Sequence, residues 1–157
     1  MPLRKLIPRV VCLLLVSVCF AQSQYDFDQA IYIKPAEGSK GQPVPGILRF
    51  DTTKKEVQFV EKQGGPPAPT VKYETVLSVK YEAVRGLLYE NTEKPRYAAS
   101  LVVPPLVFTK AKKHYLTIDY LDPAGTPRYA IIHLDKSNFQ EAVARAESET
   151  GKKAERP

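Results

Sequence analysis

Residues 46–62, GILRFDTTKKEVQFVEK, alternate apolar and polar side chains on both sides of a short polar turn. Leu48 and Phe50 fall on one face of the first arm, with Arg49 and Asp51 on the other. Val57 and Phe59 repeat the pattern in the second arm. A period of two places side chains on alternate faces of a strand and scatters them around a helix, so the segment reads as an amphipathic hairpin. A hairpin with one apolar face needs further strands to cover that face. VLSVKYEA, residues 76–83, supplies one, with Leu77, Val79 and Tyr81 inward and Ser78, Lys80 and Glu82 outward.

The stretch from residue 112 to residue 151 predicts a second hairpin and a helix. Asp122-Pro123-Ala124-Gly125 has the residue order of a type I turn. If Leu121 faces Thr126, Asp119 faces Arg128 as a cross-strand ion pair, and His114 faces His133. Beyond this hairpin, Ser137 and Gln140 have capping-box spacing. Phe139, Ala142, Val143 and Ala146 form one apolar stripe, and Gly151 fits the stop. The helix is expected over residues 137–150.

The remaining chain is less regular. The 14 prolines break ladders wherever they fall. QGGPPAPT, residues 63–70, is expected to be a loop. Residues 84–110 contain Gly86, Pro95, Pro104 and Pro105, and are expected to hold one or two short strands, near 96–101 and 106–109. Residues 22–45 read as a polar, loop-like extension with an apolar patch at 30–33, and residues 152–157 as a charged, frayed tail.

The first 21 residues read as a signal peptide. Arg4, Lys5 and Arg9 precede the apolar run of residues 10–20, and Cys19-Phe20-Ala21 presents a cleavage site after Ala21. Acylation of Cys19 is the alternative processing. Both cysteines, Cys12 and Cys19, lie in this leader, so residues 22–157 have no thiol. The expected location is periplasmic or extracellular. The leader holds three of the 23 basic residues and none of the 17 acidic ones, leaving 20 against 17. A balance of +3 is an ordinary solubilising surface and calls for no nucleic-acid partner.

Candidate chemistry is sparse. Lys110, Lys112 and Lys113 form a basic run that suits an anionic surface, including peripheral contact with a membrane. Lysines beside an edge strand also discourage aggregation, the blander explanation. His114 and His133, if facing, could share Zn²⁺ or Cu²⁺, but no further ligand stands at suitable spacing apart from Asp135. No nucleophile elbow, P-loop or dinucleotide fingerprint is present. The reading is therefore non-catalytic and without a cofactor. Nine tyrosines are attributed mostly to strand packing, and LVVPPLVF, residues 101–108, to the core or a partner-facing patch.

GILRFDTTKKEVQFV, then YETVLSVKYE, then HYLTIDYLDPAGTPRYAIIHLDKSNFQEAVARAE give antiparallel strands followed by one terminal helix. This order resembles the pleckstrin-homology-like (PH-like, GRAM-type) domain over residues 46–151. The resemblance implies a mainly β fold of two bent sheets forming a partly open barrel, with the C-terminal helix plugging one end. Phosphoinositide binding in that family uses a basic first hairpin. Arg49, Lys54 and Lys55 occupy that region, but Glu56, Gln58 and Glu61 replace the expected basic residues on the second strand. A lipocalin-like barrel is the alternative fold, although the chain has no Trp for that family's early signature. The function expected is an exported interaction module of the cell envelope, recognising a protein or envelope component. The alternatives are a small barrel carrier of an apolar ligand, which a side-chain-filled core would oppose, and a secreted hydrolase with a site around the two histidines.

Overall fold

The computed structural model describes residues 22–35, 41–64, 70–101 and 110–157. The stretch read as a signal peptide, with Cys12 and Cys19, lies outside these residues, as do most of the 101–108 patch and the strand expected at 106–109. Among the described residues eight strands form one mainly antiparallel sheet that does not close, with one helix near the C-terminus. The strands are β1 (Gln24–Lys34), β2 (Gln42–Asp51), β3 (Glu56–Gln63), β4 (Lys72–Lys80), β5 (Val84–Thr92), β6 (Lys113–Leu121), β7 (Pro127–Leu134) and β8 (Ala154–Glu155). The helix α1 spans Phe139–Thr150. The order across the sheet is β4-β3-β2-β1-β7-β6-β5-β8.

The first hairpin forms as its alternation requires: Leu48 pairs with Phe59 and Phe50 with Val57, and all four are fully buried. The turn is tied by Asp51, whose Oδ1 accepts the amides of Thr53 (3.0 Å) and Lys54 (2.8 Å). Gln24 Nε2 donates to its other oxygen at 3.1 Å. These bonds, the Lys54 amide foremost, hold the Asp51 carboxyl below its ordinary pKa although burial opposes them.

Three expectations are corrected at the ends and middle of the chain. Residues 24–34 form β1, at the centre of the sheet between β2 and β7, rather than a loop-like extension outside the domain. The apolar patch at 30–33 is most of this strand's buried part, with Ala30, Tyr32 and Ile33 all in the core alongside Phe27. Residues 84–92 form β5, a full ladder partner of β6, while 96–101 is a 3-10 helix rather than a strand. Gly86 is accommodated at a register shift between Val84 and Gly86. The tail does not fray, since Ala154 and Glu155 pair in parallel with Leu87 and Leu88. The Ala154 amide donates to Glu147 at 2.8 Å, and Arg156 pairs with the same carboxylate at 3.2 Å.

The second hairpin forms, but one residue out of the expected register. Gly125 donates to the Asp122 carbonyl at 2.8 Å, closing the expected turn. Gly125 then takes a left-handed φ of 79°, and Asp122 exchanges a further bond with Thr126 (2.9 Å) before pairing resumes. Leu121 therefore faces Pro127. Asp119 faces Tyr129 and pairs with Arg85 at 3.8 Å, while Arg128 pairs with Asp122 at 3.2 Å.

α1 begins at Phe139, two residues after the expected start at 137, and its cap falls one residue beyond Ser137. Ser137 gives its hydroxyl and amide to Asp135 instead of capping the helix, and Asn138 occupies the cap position. The stripe packs as expected: Ala142, Val143 and Ala146 are buried, Phe139 lies against the core, and Gly151 ends the helix at φ 69°. The main core fills the side of the sheet that α1 covers with Leu48, Phe50, Phe59, Leu116, Ile118 and Ile132, all fully buried. A smaller cluster of Ile33, Ala98, Tyr115 and Ile131 lies on the opposite side.

Candidate functional site: the free edge of β4

The two histidines do not meet. His114 faces Leu134 and His133 faces Tyr115, so the one-residue change of register puts the imidazoles on opposite faces of the sheet. His114 lies over Phe139 (centroids 3.7 Å apart, planes within 4°), and its Nδ1 is 2.8 Å from the Tyr89 hydroxyl. Burial lowers its pKa, Lys136 adds to the effect and Asp135 opposes it. His133 packs against Tyr115 on the other side, its Nδ1 buried without a hydrogen-bond partner among the described residues. Burial and then Lys113 lower its pKa. Among the described residues no three His, Cys, Asp or Glu side chains gather as a metal site. The shared-metal arrangement, and a hydrolytic site built on both rings, are therefore not what the geometry offers.

The lysine run sits where β6 begins. Lys110 and Lys112 are exposed, and Lys113 is half-buried opposite Thr92. The basic first hairpin does not converge either. Arg49 makes a two-pronged ion pair with Asp26, both contacts at 2.7 Å, and Lys80 pairs with the buried Glu56 at 2.9 Å. Among the described residues no helix is long and apolar enough to cross a membrane.

Sequence reading found the second half of β4 but missed its first half and its free edge. The strand starts at Lys72, four residues before the expected one, and pairs with β3 alone. Its other edge has no strand beside it among the described residues. Two of the three large apolar residues most exposed in the described structure are here: Tyr73 at 58% and Val71, just before the strand, at 44%. The third, Leu121 at 38%, ends β6 and lines a groove beside the end of β4. Val79, Lys80, Ala83, Tyr120, Leu121 and Pro123 line this groove of about 420 Å³ between the end of β4 and the β6–β7 turn. The alternation of Val71, Tyr73 and Thr75 with Lys72 and Glu74 was the available signal. The neighbouring Pro-Gly loop masked it.

An unpaired strand edge offers backbone donors and acceptors to any extended chain. Here the edge runs from exposed apolar side chains into a groove with apolar walls. A second cavity, of about 400 Å³, opens between the β1 bulge and the start of α1 and is lined by Asp26, Asp28, Asn138 and Glu141. No family model, curated protein or solved structure matches this chain.

Proposed function

We propose that this chain is an exported, non-catalytic interaction module of PH-like type that recognises an extended segment of a partner protein in the cell envelope. The PH-like reading is supported by the meander of β1 to β4, the β1–β7 pairing that joins it to β7-β6-β5, and the helix that follows the last strand of that meander. The PH-like plan has these parts in this order. The export reading is supported by the basic, then apolar, then small-residue pattern of the first 21 residues.

The observation that carries the function is the β4 edge with the Leu121 groove at its end. Strand addition takes its affinity from main-chain hydrogen bonds and its specificity from pockets for alternate side chains. β4 supplies the first and the groove the second. The interior is packed with side chains, so recognition is assigned to the surface. Panning a display library of random twelve-residue peptides on the purified chain tests this. Enriched peptides should alternate apolar residues, and Leu121→Asp should abolish their binding. Peptides that bind Leu121→Asp equally well would overturn the assignment.

A further inference from the structure

The half of β4 remote from the groove has a property of its own. Val71-Lys72-Tyr73-Glu74-Thr75 is self-complementary when an identical strand lies antiparallel beside it with Tyr73 opposite Tyr73 of the copy. Lys72 then faces Glu74 of the copy, Glu74 faces Lys72, and Val71 faces Thr75. Alternation puts Val71, Tyr73 and Thr75 on one face and the charges on the other. All five residues are exposed. The register is selective. Sliding by one two-residue step brings Lys72 opposite Lys72 in one direction and Glu74 opposite Glu74 in the other, and like charges directly opposite are unfavourable.

A second observation points the same way. Within the chain, Glu74 faces Glu61 across the β3–β4 ladder, a like-charge pair beside which, among the described residues, the neutral Gln63 side chain donates to Glu74 at 2.7 Å. A lysine arriving on the free side of β4 would sit beside this negative charge. We propose that two copies of the chain pair through residues 71–75 of β4, joining their sheets across a two-fold axis at Tyr73. Leu77 to Lys80 and the groove lie beyond the paired stretch, so the dimer presents two grooves to its partner. The dimer stands on residues 71–75 and the peptide reading on Leu121, so either can fail without the other.

Sedimentation velocity of the purified chain, from low micromolar to near-millimolar concentration, tests the pairing. The chain should dimerise. Lys72→Glu alone and Glu74→Lys alone should each weaken the dimer by roughly tenfold or more, because the symmetry doubles the like-charge contacts. An equimolar mixture of the two variants restores every opposite-charge pair and should dimerise, as should the double variant. Both sites are exposed, and circular dichroism confirms that the variants fold. A chain that stays monomeric throughout, or a dimer indifferent to both single changes, would overturn the proposal.

Discussion

Gly46 on β2 lies so close to the Val60 carbonyl oxygen on β3 that a Cβ at position 46 would sit 2.1 Å from it and 2.8 Å from the Phe59 ring. The β3–β4 ladder shifts register at this point, between Phe59 and Val60, so the close approach falls where the sheet changes course. Gly46→Ala should destabilise the fold by about 1–3 kcal/mol through overpacking against backbone, which cannot swing aside. Urea titration checks this, with an unchanged slope showing that only stability has moved.

Asp51→Ala removes the acceptor for two turn amides and for Gln24, at a carboxylate almost free of solvent exposure. The expected loss is about 1.5–3 kcal/mol at neutral pH. Because the folded-state pKa is depressed, the stabilisation is present above the unfolded value near 4 and is lost as pH falls through the folded value. The gap between parent and variant, measured by denaturation from pH 7 down to pH 3, should therefore narrow at the acid end.

His114 and His133 carry a second pH dependence with a different window. Both have lowered folded-state pKa values, so the unfolded chain binds protons first as pH falls. Stability should be level above the ordinary histidine value near 6.5 and decline below it. His114→Gln should flatten part of the decline and His133→Gln another part.

The hairpin alternation and the helix stripe were legible because each places one face against the core. Leu48, Phe50, Val57, Phe59, Ala142, Val143 and Ala146 are all buried as that logic requires. β1 was not legible. Its first half, Gln24 to Gln29, buries only Phe27 fully among polar neighbours and carries a bulge with Gln29 at a left-handed φ of 59°. β5 was hidden by Gly86, and β8 by being only two residues long. The second hairpin shows how fine the margin is. The turn residues indicated the turn, yet Thr126 joined the loop and moved every later side chain to the opposite face. That single residue separates a shared histidine site from two unrelated histidines.

Glu147 ties β8 to the helix: it accepts the Ala154 amide and pairs with Arg156. Glu147→Ala should therefore loosen the tail without unfolding the sheet. Hydrogen exchange should show faster exchange at Ala154 and Glu155, with β2 and β3 amides unchanged.

The account rests most heavily on β4 as the recognition edge. Its most direct test is hydrogen exchange on the chain with and without a peptide selected from the random display library. Amides of Leu77 to Lys80 with no partner on β3 should exchange fast in the free chain and become protected on binding, together with Tyr120 and Leu121 at the groove. Protection confined to α1 and β5, around Tyr89 and Phe139, with β4 still exchanging freely, would contradict it.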